Sequence, residues 1–439
     1  MPTSKPKLLF VNRSYWPDNE ATGQLLTELC EDLATQFDVH VVAGQPNVNV
    51  TAERFAKSGA AVHNHVTIHR VRHTRFRKSS FWGRLLNQLS FLIAATWRTL
   101  WLSRPAAVIT ESDPPQLCFL GALLKWRYRC PLIAYQQDIY PDVAVALGAI
   151  NDNWFTGLLR RLFQWAFRQA NLVLVPGEDM RQLLIGSGVP AERVVCLPNW
   201  IDTTLVRPFT GENTFRAEHQ LTGKSVVMYS GNLGLSQRLD DVLLAAEELA
   251  PSRKNLQFVL VGDGARREQL QKLVAERGLT NVQFVPYQPK TRLTESLGAA
   301  DVHLIPMDDR VINFLFPSKL YGILAAGKAS LVIAPRNCEL ARLVSEHHCG
   351  RAVEPRQIDQ LVECIAWYAD HPEEAAIQGA NARRLAEESY DRALITAQFA
   401  SLLAQLLISC RTGSAVITLE HPPKLATHLK STVSNTLSD

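Results

Sequence analysis

The stretch FPSKLYGILAAGK, residues 316–328, sets a lysine one step inside an expected helix start. The helix macrodipole disfavours a cation at that end. Either Lys319 swings out to solvent, or a strongly anionic group sits there and takes both the ammonium and the free N–H groups. A phosphate has the charge and the acceptors for that. Three other stretches could face the same ligand. YSGNLG (229–234) ends a strand with Gly231 and Gly234, where the backbone can approach a ligand closely, and the next helix starts near Arg238. GDG (262–264) closes a second strand with Asp263 and Gly264, and VPY (285–287) closes a third with Pro286 and Tyr287. Ligands of open α/β sheets bind outside the carboxyl ends of strands, so these stretches are expected to surround one cleft. It would offer the N–H groups from Gly231 to Gly234, the Arg238 guanidinium, the Lys319 ammonium and two helix N-termini. That set suits a diphosphate. Each signal alone has an ordinary reading: a glycine turn, a solvated lysine, an arginine paired with Asp240 or Asp241. Their joint occurrence at strand ends of one half of the chain favours the site.

These residues need a scaffold, and the pattern supplies one. β-rich runs such as KLLFV (7–11), DVHVVA (38–43), AAVIT (106–110) and PLIAY (131–135) alternate with helical patterns at 23–36, 83–101, 115–126 and 154–169. After the Pro-bounded IDTTLVRPF the alternation restarts with SVVMYSG (225–231), LQFVLVGDG (256–264), VQFVPY (282–287), VHLIPM (302–307) and SLVIAP (330–335). Such alternation implies an α/β class with parallel sheets covered on both faces. Two Rossmann-like parallel-sheet domains facing a central cleft are expected. Their spans are 1–198 and 199–385, with a helical segment 386–411 packing back on the first and a loose tail at 412–439. At 439 residues and a net charge of +4, the chain demands no nucleic-acid partner. Its eight cysteines are scattered without a C-x-x-C pair, which argues against zinc or a disulfide framework and fits a reducing cytosol. No apolar run suits a signal peptide, and LSFLIAATW (89–97) is too short to span a bilayer. The first βα turn, FVNRSYWPDNEATG, lacks G-x-G-x-x-G, and no Walker, G-x-S-x-G or H-E-x-x-H motif is present.

The second half resembles the donor domain of family 4 glycosyltransferases, which have the GT-B fold. YSGNLGLSQRLDDVLLAA, FVLVGDGARREQL, FPSKLYGILAAGK and NCELARLVSEHHCG carry the likeness, and PNWID (198–202) resembles the family's interdomain junction. YWPDNEATGQLLTELCEDLA and YQQDIYPDVAVALG resemble the subgroup that builds bacterial cell-surface polysaccharides. The resemblance implies a nucleotide-diphosphate sugar donor in the second domain and an acceptor on the first. It implies retention of anomeric configuration, with no cofactor and no bound metal. By position, Gly23 approaches the donor phosphates across the cleft, Gly231 and Asn232 line the diphosphate, Lys319 is the diphosphate lysine, and backbone near Pro286 and Tyr287 holds the base. The donor-binding set is then Gly23, Gly231, Asn232, Gly234, Asp263, Gly264, Pro286, Tyr287, Ser318 and Lys319, with Lys319 and Arg238 as the catalytic pair.

Two departures stand out. The family's frequent glutamate pair falls on Phe314 and Gly322, and its first-domain histidine is missing from ITESDPPQL (109–117). Glu111, Asp113 and Asp138 are the acids near the expected acceptor side. Rival readings are a sugar-nucleotide 2-epimerase and a non-catalytic nucleotide-sugar-binding subunit of a membrane glycan assembly. RVRHTRFRKSSFWGRLLNQLSFLIAATWRTLW (70–101), with Arg75, Arg77 and Lys78, and WFTGLLRRLFQWAF (154–167) mix basic and aromatic residues. Such segments lie in membrane interfaces or pack as ordinary covering helices. The membrane reading places the protein in the cytoplasm, on the inner face of the cytoplasmic membrane. A glycan or polyprenyl-diphosphate-linked acceptor is the partner it implies.

Overall fold

The computed structural model describes residues 5–18, 20–46, 59–76 and 81–412. The expected tail from 413 onward, and Arg77 and Lys78 of the basic segment, lie outside these residues. In the first half, strands β1 (Lys7–Val11), β2 (Asp38–Ala43), β3 (Gly59–His63), β4 (Val66–Arg70), β5 (Ala107–Thr110), β6 (Leu132–Tyr135), β7 (Leu172–Val175) and β8 (Val194–Cys196) form one sheet. Its order is β3-β4-β2-β1-β5-β6-β7-β8. The second half adds β9 (Ser225–Ser230), β10 (Leu256–Val261), β11 (Val282–Val285), β12 (Val302–Pro306), β13 (Ala329–Ile333) and β14 (Gly350–Val353), in the order β11-β10-β9-β12-β13-β14. All pairings in the second sheet are parallel.

Alternation explains the layers. In β1, Leu8 and Phe10 point into one core and Leu9 and Val11 into the other, and all four are buried. Two strands escape sequence reading. β3 pairs antiparallel with β4 through a two-residue turn at Asn64 and His65, with φ of 46° and 65°. Such turns usually announce themselves with glycine; here histidine holds the second position. β14, GRAV, is short and lies beside β13 at the sheet edge.

The last helix, Arg392–Thr412, returns to the first domain. Ile395, Phe399, Leu402, Leu403 and Leu406 are buried there with Phe10 and Tyr135. Its stretch Arg392–Cys410 is long and apolar enough to cross a membrane by composition. The buried residues recur at three- and four-residue spacing, which is the pattern of a core-facing stripe. Chain crossings run side by side: Ile201 N–H donates to Tyr390 O at 3.0 Å and Arg392 N–H to Ile201 O at 2.9 Å.

The two sheets meet along a seam. Ile139 N–H donates to Phe314 O at 2.8 Å, and Asp138 forms an isolated bridge with Leu315. Further along, Glu339 N–H donates to Asp179 Oδ2 at 2.6 Å while Asp179 N–H donates to Glu339 Oε2 at 3.2 Å.

Candidate active site

Lys319 opens the helix Lys319–Ala325. At seven residues this helix is barely two turns, so one of the two expected helix N-termini contributes little. The amine instead reaches back to β9. Nζ donates to the Tyr229 hydroxyl at 2.7 Å and lies 4.0 Å from the ring centroid. The same hydroxyl donates to Asn232 O at 2.6 Å. A Cβ at Gly231, where φ is +149°, would stand 3.2 Å from Lys319 Cε. Glycine at 231 therefore leaves room for the lysine. Burial pushes the amine pKa down to about 7, with no charged neighbour to oppose it. A cation withdrawn from water without a carboxylate beside it gains most from an incoming anion. Tyr229 escapes sequence reading, although its signal is visible: the one aromatic residue of the strand SVVMYS, two residues before the glycine turn.

The glycine loops hold one another rather than facing outward. Gly231 N–H donates to Val261 O at 2.9 Å, Leu233 N–H to Asp263 O at 2.8 Å, and Gly234 N–H to Gln237 Oε1 at 3.1 Å. The expected run of free N–H groups from Gly231 to Gly234 is thus mostly spent, because parallel pairing of β9 with β10 continues past the strand ends. Asn232 is the exception among the described residues. A Cβ at Gly262, where φ is +142°, would collide with the Gly231 carbonyl, which shows how close the two loops run. Asn232 Oδ1 would stand 2.6 Å from a Cβ at Gly264.

Arg238 stands at the N-cap of Leu239–Leu249, but its fork is engaged. Nε and Nη2 bind Asp241 at 2.8 and 3.0 Å, and Asp241 also accepts Arg356 N–H at 3.1 Å. Asp240 pairs with Arg266 instead. The pairing alternative for Arg238 is the one the structure contains, and any anion would share that guanidinium with a buried carboxylate. Asp263 and Tyr287 meet at the rim: burial, then the Asp263 charge, raises the pKa of the half-exposed tyrosine. Pro286 and Ser318 are exposed, and Ser318 makes no side-chain cap.

On the first domain Gly23 lies inside the helix Ala21–Leu33, where a Cβ would sit 3.2 Å from Ser14. Its lack of a side chain lets that helix pack on the loop after β1. Asp113 is held by Arg13, with Nε at 3.1 Å and Nη2 at 3.0 Å from Oδ1, and by Ser14 Oγ at 2.8 Å. Arg13 and Ser14 also escape sequence reading. Glu111 is buried with Oε2 unpartnered, and burial, then the Asp113 charge, lifts its pKa well above the carboxylate range. Asp138 is raised to about 6 by burial and then by Asp113. The three acids therefore share one electrostatic neighbourhood at the ends of β5 and β6. Lys319 comes four positions after Leu315, which is bridged to Asp138. At about 3.3–3.6 Å per residue, the acid side and the lysine side are less than about 15 Å apart along that loop.

The two departures have distinct surroundings. Phe314 packs at the seam and gives its carbonyl to Ile139. Gly322 lies within the short helix, and a Cβ there would make an ordinary 3.4 Å contact with Leu297. Among the described residues, no group of three or more His, Cys, Asp or Glu is placed to hold a metal ion.

Comparison with known proteins gives this geometry a context. Residues 211–385 match the model for glycosyl transferases group 1, and residues 21–200 match that for a glycosyl transferase 4-like domain. The putative colanic acid biosynthesis glycosyl transferase WcaI of Escherichia coli is 28% identical, covering 90% of this chain and 98% of that protein. The probable glycosyltransferase WbjE of Pseudomonas aeruginosa is 25% identical over 69% of this chain and 76% of its own. Among solved structures, Anabaena HepE in complex with UDP and glucose superposes with a TM-score of 0.69 at 17% identity, covering 91% of this chain and all of that one. Sucrose-phosphate synthase from Thermosynechococcus elongatus gives 0.72 at 16% identity, covering 92% of this chain and 100% of its own. These likenesses establish the fold. Both matched models describe glycosyl transferases, which sets the epimerase and non-catalytic readings aside. Paired parallel sheets about a cleft, with each half matched by its own transferase model, lead to one conclusion: the chain belongs to the family 4 glycosyltransferases and is a transferase enzyme of GT-B architecture.

Proposed function

We propose that this enzyme moves a sugar, with retention, from a nucleotide-diphosphate donor to a glycan or polyprenyl-diphosphate-linked acceptor during bacterial surface polysaccharide synthesis. The observation that carries the donor reading is the Lys319 amine. It sits at the carboxyl end of β9, against a glycine loop, with a neutral tyrosine as its partner. When the bond from sugar to phosphate breaks, negative charge grows on the diphosphate, and a fixed cation aimed at it lowers the barrier. The leaving phosphate takes the acceptor's proton, so no histidine is required. Lys319 serves here in place of a metal, and activity is expected to survive chelation by EDTA. The named relatives in surface-polysaccharide synthesis support the acceptor class.

A membrane site for the acceptor draws support from one face of the first domain. Helices Phe81–Leu100, Leu117–Tyr128 and Trp154–Gln169 pack side by side, the middle one touching both others. Trp82, Trp97, Trp126, Trp154 and Trp165 on them, and Trp101 just past the end of the first, are each more than half exposed. None of the three helices contains an acidic residue, while Arg84, Arg127, Arg161 and Arg168 are exposed. Aromatic and basic residues without acids suit an anionic lipid interface on the inner face of the cytoplasmic membrane.

The test is a thermal-shift panel of UDP-, GDP- and ADP-sugars, followed by nucleotide release from the binding donor with membrane lipid extract. A donor at a hundred times its dissociation constant adds ~2.7 kcal/mol of stability. Donor binding without nucleotide release on any lipid extract would refute the lipid-linked acceptor. No shift from any of the sugars would refute the donor reading.

A further inference from the structure

We infer that Tyr229 is a positioning residue for group transfer: its hydroxyl joins the Lys319 amine and the Asn232 carbonyl in one hydrogen-bonded chain and so aims the amine at the donor diphosphate. This rests on the donor reading of Lys319 given above.

A tyrosine hydroxyl has one proton to give. Here that proton goes to Asn232 O at 2.6 Å, which fixes the oxygen lone pairs toward Lys319 Nζ at 2.7 Å. The lysine therefore meets an acceptor that cannot turn away. Tyr229 itself is fully buried, so its ring cannot move without opening the core around Leu233 and Val242. The ring face lies under the ammonium at 4.0 Å and adds a weak attraction for the charged form. Asn232 closes the arrangement, since its side chain fills the space that side chains at Gly264 and Gly234 would need. One hydroxyl thus couples the lysine on one helix to the loop ending β9. A flexible four-carbon side chain beginning at a helix terminus would otherwise lose aim.

Charge follows from this geometry. The titratable group facing the amine is Tyr229, which in turn feels Tyr287 beyond β11. No charged side chain contributes to the amine's own shift, neither Asp263 on the neighbouring loop nor Arg238 on the next helix. Burial alone lowers its pKa to about 7. An arriving diphosphate raises it again, so donor binding takes up a proton above neutral pH. Affinity is then level below the free amine's pKa and falls up to tenfold per pH unit above it. The Tyr229 hydroxyl favours the charged amine, so its removal moves that fall to lower pH.

The experiment is calorimetric titration with UDP, GDP and ADP between pH 6 and 9, each in two buffers of different ionisation enthalpy. The parent protein is expected to take up part of a proton at pH 8 with the nucleotide that binds, and Lys319→Arg is expected to take up none. Tyr229→Phe keeps the ring, and is expected to begin losing affinity at lower pH and to turn over on the order of tenfold more slowly. Lys319→Ala binding as tightly as the parent would overturn the donor reading and this inference together. Lys319→Ala binding weakly while Tyr229→Phe matches the parent at every pH would overturn the role of Tyr229 alone.

Discussion

At the scale of single residues, the site depends on one cation and one group of acids. Lys319→Ala removes a charge-assisted contact that strengthens as the diphosphate leaves, so kcat should fall by on the order of 10²–10³ while donor affinity falls less. Melting should hardly change, because the lysine's stabilising contacts are one bond to a neutral hydroxyl and a weak attraction to the same ring. Steady-state kinetics and a melting curve on the same variant check this; normal melting with parental turnover would make Lys319 a bystander. Asp138 titrates near 6, raised by burial and then by Asp113. If its carboxylate orients the acceptor hydroxyl, turnover declines up to tenfold per unit as pH drops below about 6. Asp138→Asn should flatten that acid limb and lower the plateau. An unchanged limb in the pH profile of the variant would assign the titration to another group.

At the scale of elements, Gly322 shows that a family departure can leave room rather than strain. It lies in the interior of Lys319–Ala325, and a Cβ there meets only Leu297 at 3.4 Å. Gly322→Ala should therefore stabilise the second domain by about 0.5–1 kcal/mol through reduced freedom of the unfolded chain. A urea midpoint equal to or below the parent's would mean that the space is not open. The same scale shows what sequence could tell. Strongly apolar runs such as PLIAY and LQFVLV read as strands because they are too short for helices and are bounded by turn residues. The hairpin at Asn64 and His65 did not, lacking glycine. In the site, the lysine and the glycines were legible because they occur together in the loops after strands of one half of the chain. Their partners were not: Tyr229 meets Lys319 from 90 residues away and Arg13 meets Asp113 from 100, and spacing in one chain carries no sign of such contacts.

At the scale of the whole molecule, the two domains are tied by a reciprocal pair. The helices Glu178–Gly186 and Glu339–Glu346 point their N-termini at one another, and Asp179 and Glu339 each accept a backbone N–H from the other's helix start. Helix starts welcome carboxylates, but here two acids share a confined seam with Glu178 nearby. Burial raises Glu339 to about 7; the Asp179 N–H opposes this, and the Asp179 and Glu178 charges reinforce it. Its ordinary value is 4.5, so between pH 4.5 and 7 the folded protein holds a proton that the unfolded chain has released. Stability contributed by this group therefore falls as pH rises through that window and is level above 7. Glu339→Gln keeps an oxygen for the Asp179 N–H and cannot ionise. The parent should lose on the order of 1–3 kcal/mol more stability than the variant between pH 5 and 8. Any change from Asp138 occurs in both proteins and cancels in the difference. Urea midpoints at the two pH values measure it. Equal losses would show that Glu339 ionises normally, and that the seam is held by its backbone bonds without a titrating acid.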